Sequence, residues 1–149
     1  MIQSGHRTTI LVAEDDEDDR LMIRRAWRKR RRGHDLRFVA DGEELMDYLH
    51  RRGEYAAPSS APRPRLILLD LNMPRKDGRE ALAEIKSSLT LRAIPVVVLT
   101  TSDAEEDIRH CCDLGANSYI RKPTEFVRLV KIIAILDEYW NEIVESLPE

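Results

Sequence analysis

The chain has almost no cysteine. Its two, Cys111 and Cys112, are sequence neighbours, so they do not make a structural disulfide with each other. A disulfide scaffold is excluded, and a reducing, cytoplasmic setting is the simplest expectation. No apolar run approaches the ~20 residues that span a bilayer. The opening MIQSGHRTT lacks the apolar segment of a signal peptide. Positive charge is not in excess: 24 Lys and Arg face 27 Asp and Glu, a net charge of −3, which points globally to neither nucleic acid nor membrane. There is no internal repeat, and no low-complexity tract beyond a loop holding Pro58, Pro62 and Pro64. What is present is the makeup of one globular domain. Its 149 residues, 42% hydrophobic and 34% charged, are enough to bury a core without metal or disulfide staples.

Apolar runs and helical patterns alternate along the chain. TTILVAED (8–15) reads as a buried strand running into acid. The following DDEDDRLMIRRAWRKR has helical spacing, with acids at its start and bases at its end, as the helix dipole favours. DLRFVA (35–40), RLILLD (65–70), IPVVVLTT (94–101) and ANSYIRK (116–122) read as four more strands. DGEELMDYLHRR (41–52), GREALAEIKSS (78–88) and DAEEDIRHCCDLG (103–115) read as helices, and residues 124–147 as one long last helix. Residues 53–65 read as a surface loop. Five βα units with continuously apolar strands predict an α/β doubly wound fold, a parallel sheet covered by helices on both faces. Such sheets bind ligands at the carboxyl ends of their strands.

Those ends carry one kind of chemistry. The first strand delivers Glu14 and Asp15, the third Asp70, the fourth Thr100, and the fifth Lys122. Carboxylates from two strands repel unless a cation joins them, and hard oxygen ligands suit Mg²⁺. A pocket with Mg²⁺, an ammonium and a hydroxyl suits a phosphoryl group. A carboxylate there can attack phosphorus and become an aspartyl phosphate. Asp70 is the best nucleophile because the other acids are taken up by metal, and Thr100 donates to a phosphoryl oxygen. Asp16, Glu17, Asp18 and Asp19 are read as a solvated helix start.

ILVAEDD, LILLDLNMPRKDG, PVVVLTTS and the stretch from Tyr119 to Pro123, with Asp70, Thr100 and Lys122 at their spacings, resemble the receiver domains of two-component response regulators. The resemblance spans about residues 8–135. It implies the flavodoxin-like (βα)5 receiver fold with sheet order 2-1-3-4-5 and an extended C-terminal helix. It also implies a phosphoacceptor at Asp70, with Glu14, Asp15, Asp70 and the Asn72 backbone carbonyl around Mg²⁺, and Thr100 and Lys122 on the phosphoryl group. Tyr119 becomes the aromatic switch that responds to Thr100, and Asn72 and Ser102 tune dephosphorylation. The Lys122–Pro123 peptide is expected cis. In the family the chain is not a turnover enzyme; it catalyses only its own phosphorylation and dephosphorylation. A closer resemblance, in AEDDEDDR, the 53–65 loop, LGANSYIRKP and YWNEIVESLP, is to single-domain regulators paired with bacterial and cyanobacterial phytochrome histidine kinases.

The expected organisation is a tail over 1–7 and a receiver over 8–149, with no output domain and hence no DNA partner. The last helix is apolar around most of its circumference, which predicts a second buried face, most simply a homodimer through Phe126, Ile133, Tyr139, Trp140, Ile143 and Leu147. The competing arrangement folds that helix back over its own domain. RRAWRKRRR (24–32) invites a nucleic-acid reading, but bases are favoured at a helix end anyway, and a kinase-docking rim fits better. Two rival functions are an Mg-dependent phosphohydrolase of the haloacid-dehalogenase type and a phosphorylation-independent adaptor. The first needs an acid two residues after the nucleophile, where Asn72 stands. The second is disfavoured by the intact set of acids, Thr100 and Lys122.

Overall fold

Five strands form one parallel sheet in the order β2-β1-β3-β4-β5. The structure, a computed structural model, describes residues 8–30 and 33–145. In chain order the elements are β1 (Thr8–Ala13), α1 (Glu17–Arg28), β2 (His34–Val39), α2 (Gly42–His50), β3 (Leu66–Leu69), α3 (Gly78–Ser87), β4 (Val96–Thr100), α4 (Glu105–Leu114), β5 (Ser118–Arg121) and α5 (Phe126–Asp137). The expected elements are all present, trimmed by one to three residues at most ends. The loop over 53–65 winds into two short 3-10 turns, Gly53–Tyr55 and Pro58–Ser60. It is tied down where Tyr48 donates to the Pro62 carbonyl at 2.7 Å.

The side-chain alternation of the strands divides the core in two. Leu11, Ala13, Ile67, Leu69, Val96 and Val98 pack on the side of α2, α3 and α4. Ile10, Val12, Leu66, Leu68, Val97 and Leu99 pack on the side of α1 and α5, against Ile23, Trp27, Leu129 and Ile133. Both faces are covered, so the central strands are apolar along most of their length, with Thr8 and Thr9 opening β1 and Thr100 closing β4.

The end of the chain departs from expectation. The single helix predicted over 124–147 is α5 to Asp137, then a π-helical turn at Glu138–Ile143, with Val144 extended. Asp137 is fully buried. Its carboxylate accepts from Arg30 Nε at 2.7 Å and Asn141 Nδ2 at 2.8 Å, and lies 2.6 Å from His34 Nε2. Burial pushes this acid up, but the bonds from Asn141 and Arg30 and the nearby His34 prevail, and it sits below the ordinary carboxylate range. A π turn re-aims the residues that follow it. Arg65 donates to the Trp140 and Val144 carbonyls and receives the end of the turn. The chain is therefore drawn back onto its own domain here, as in the arrangement that competes with a homodimer face. Ile133 is fully buried in its own core, and Phe126 and Trp140 are partly packed there. Tyr139 and Ile143 are exposed, at 50% and 63%, and Leu147 lies outside the described residues.

The basic stretch is also partly used at home. Arg30 holds Asp137, and the Arg24 guanidinium lies 4.7 Å from the centre of the Phe38 ring. Arg25, Arg28 and Lys29 are exposed, and Arg31 and Arg32 fall outside the described residues.

Candidate functional site

The sheet topology brings β1 and β3 side by side, with Ala13 opposite Leu69. The residues that follow, Glu14, Asp15 and Asp70, thereby share one rim. A carboxylate oxygen from each lies within 4.8 Å of the others. Glu14 and Asp70 are buried and Asp15 is exposed. β4 lies on the other side of β3 and supplies Thr100, whose Oγ1 donates to Asp70 Oδ1 at 2.8 Å. The backbone N–H of Asn72 donates to the same oxygen at 3.3 Å. Lys122, just beyond β5, reaches Asp70 Oδ2 at 3.3 Å, Glu14 Oε1 at 2.5 Å and Asp19 Oδ2 at 2.7 Å.

Electrostatics follow from this crowding. Burial pushes the Glu14 carboxyl up to about 7, and the neighbouring Asp70 charge adds to that against the bonds from Lys122 and the Asp16 N–H. Burial works against the Lys122 ammonium, but its bonds to Asp19 and Glu14 outweigh it and raise its pKa above the ordinary lysine range. Three hard oxygen donors within one ion's reach, beside the Lys122 ammonium, fit a hard divalent cation.

Close backbone approach fixes the position of Asp70. A Cβ on Gly78 would sit 2.3 Å from the Asp70 carbonyl oxygen, so only glycine lets α3 start directly against the residue it follows. The sharp break after β3 serves this contact.

The remaining expected residues lie around this centre. Tyr119 is half-buried, packs against the core, and donates its hydroxyl to the Ser102 carbonyl at 2.8 Å. The Ser102 hydroxyl donates to Asp107 at 2.6 Å. Asn72 is exposed beside Asp70. The expected cis Lys122–Pro123 bond is a correction: no peptide among the described residues is cis. Lys122 N–H donates to the Thr100 carbonyl at 2.7 Å, and its peptide bond to Pro123 is trans, the lower-energy form of an X–Pro bond.

Asp19 is the residue that sequence reasoning missed. It was expected to be solvated, yet it holds Lys122 from the first turn of α1. Asp16 fits its expected structural role, capping α1 by accepting from the Asp19 N–H at 2.9 Å. The available signal for Asp19 was position: the first turn of α1 starts at the rim where Lys122 ends.

Residues 10–134 match the response regulator receiver domain. The chain belongs to that family. The receiver is 40% identical over 146 residues to Response regulator Rcp1 of the cyanobacterium Synechocystis, covering 98% of this chain and 97% of Rcp1. Among solved structures it is similar to the phosphorylated cyanobacterial phytochrome response regulator RcpA, with a TM-score of 0.89 and 45% identity, covering 96% of this chain and 100% of RcpA. It is also similar to the Mn²⁺-bound form of Rcp1, with a TM-score of 0.86 and 40% identity over 95% of this chain and 99% of that one. The receiver has a two-component phosphorelay role, and the phosphohydrolase and adaptor readings are not favoured. No helix among the described residues is long and apolar enough to cross a membrane.

Proposed function

We propose that this receiver is a stand-alone response regulator that accepts a phosphoryl group on Asp70 from a phytochrome-type sensor histidine kinase in the cytoplasm. The observation that carries this reading is the convergence on one carboxylate: Thr100 on Oδ1, Lys122 on Oδ2, and Glu14 and Asp15 within one ion's reach. An Asp70 oxygen attacks phosphorus, the P–N bond to the kinase imidazole breaks in line, and the nitrogen leaves with the electron pair. Glu14, Asp15, Asp70 and the Asn72 carbonyl would hold Mg²⁺, which when bound neutralises charge on the phosphoryl oxygens. Lys122 pairs with a product oxygen and Thr100 donates to another. Tyr119 follows Thr100, and Asn72 and Ser102 flank the approach of hydrolytic water. The chain performs no turnover beyond its own phosphorylation and hydrolysis.

The phytochrome pairing is supported by the likeness to Rcp1 and to RcpA, a phytochrome response regulator. Homodimerisation is supported by exposed apolar side chains on α5 and its π turn. Val127 and Ile135 on α5 are 68% and 66% exposed, and Tyr139 and Ile143 on the π turn are 50% and 63% exposed. The test is transfer from a purified phytochrome kinase, followed by intact mass. Wild type gains one phosphoryl group when Mg²⁺ is present and none after chelation, and Asp70→Asn gains none. Labelling of Asp70→Asn at the wild-type rate would sink the assignment.

A further inference from the structure

Arg79 lies in the first turn of α3 and Asp107 in the first turn of α4. They form a two-pronged pair, with Nε to Oδ1 at 2.8 Å and a terminal guanidinium nitrogen to Oδ2 at 2.7 Å. The third guanidinium nitrogen reaches Asp77, the cap of α3, at 3.0 Å. Arg79 is thereby anchored to the turn whose Gly78 rests on the Asp70 carbonyl.

Asp107 in turn holds the segment after β4. Its Oδ2 accepts from Ser102 Oγ at 2.6 Å, and the Ser102 carbonyl accepts from the Tyr119 hydroxyl at 2.8 Å. Thr100, two residues earlier, donates to Asp70. The short stretch from Thr100 to Ser102 is fixed at one end by the acceptor and at the other by Asp107 and Tyr119. α4 has no capping side chain at Ala104, so these bonds, not a cap, set where it begins. A planar guanidinium fork on a carboxylate is directional, unlike a lysine contact.

We propose that Arg79 and Asp107 are positioning residues for phosphoryl acceptance: through Ser102 they hold the segment after β4 so that Tyr119 is seated inward and Thr100 faces Asp70. This rests on the reading of Asp70 as acceptor. The pair touches neither phosphoryl group nor metal ligand. It favours one of two arrangements of the switch, and its loss withdraws that bias.

The test uses the full chain labelled with 3-fluorotyrosine, with the Tyr119 fluorine signal assigned by Tyr119→Phe. Arg79→Gln and Asp107→Ala are expected to move or broaden that signal with no phosphodonor added. With phosphoramidate and Mg²⁺, each should slow phosphorylation on the order of tenfold. The double variant should be no worse than either single, because the two residues act as one unit. Arg79→Lys, which keeps the charge but not the fork, should rescue only in part. Circular dichroism confirms that the variants fold. A Tyr119 signal that stays put in both variants overturns the proposal, as does a rate within about twofold of wild type, since coupling typically starts near fivefold. A wild-type chain that takes no phosphoryl group would instead overturn the acceptor reading, while the donor-free fluorine signal still reports on the pair.

Discussion

Lys122 carries more electrostatic duty than its neighbours, because three carboxylates share its one ammonium while its side chain is only 12% exposed. Removing one partner of a buried ion cluster costs about 3–5 kcal/mol. Lys122→Met should therefore lower stability by about 3 kcal/mol in chelator. Added Mg²⁺ should recover more in the variant than in wild type, since a cation among the acids replaces the lost charge. Urea unfolding with and without Mg²⁺ measures both. Equal Mg²⁺ effects in the two proteins would mean that ammonium and metal do not share the acids. At this scale the sequence was legible wherever a residue closes a strand, as Glu14, Asp70, Thr100 and Lys122 do. It was not legible for Asp19, because a first-turn acid looks the same whether it faces water or a lysine from a distant strand.

Between elements, the pair that joins α3 to α4 leaves a mark in acid. The bonds from Arg79 and Ser102 hold the Asp107 carboxyl at about 2, below its ordinary 3.8. A carboxyl lowered in the folded state contributes stability above its unfolded pKa and loses it as pH falls through the folded one. The contribution is present above pH 3.8 and fades towards pH 2. Asp107→Asn should flatten the fall of the unfolding midpoint across that window, and a curve parallel to wild type would contradict the assignment. Asp137 provides a second test. It is buried against Arg30, His34 and Asn141, and Asp137→Ala should cost about 3–5 kcal/mol by leaving Arg30 without its buried partner. A loss below about 1 kcal/mol would place it among ordinary surface pairs. The apolar pattern made the existence of α5 plain. It did not reveal the π turn, because that turn depends on Arg30, His34 and Arg65, which are distant in sequence. Helix starts were easier to see, since Asp16, Asp41 and Asp77 each cap the helix they precede.

For the molecule as a whole, the exposed apolar residues of α5 and its π turn are separable from the rim around Asp70. Ile135→Glu with Ile143→Glu should leave phosphorylation by phosphoramidate unchanged and reduce a wild-type dimer to monomer, read by light scattering with Mg²⁺ and beryllofluoride. A dimer that persists in this variant would move the contact elsewhere. The sheet order and its two-sided cover were readable from five βα units. Which residues of the last helix face inward was not, since apolar side chains around a helix do not declare their partners.

The sheet is graded from centre to edge. β1, β3 and β4 are buried almost throughout, whereas β5 pairs with β4 alone and none of its residues is fully buried. Backbone amides open to solvent exchange most readily where few contacts must break. The strand that carries Tyr119 and leads into Lys122 is thus among the first to open and the least expensive to displace, while Asp70 is carried by a strand that opens only with the whole domain. One sheet thus holds a rigid centre beneath Asp70 and a loose edge beneath Tyr119.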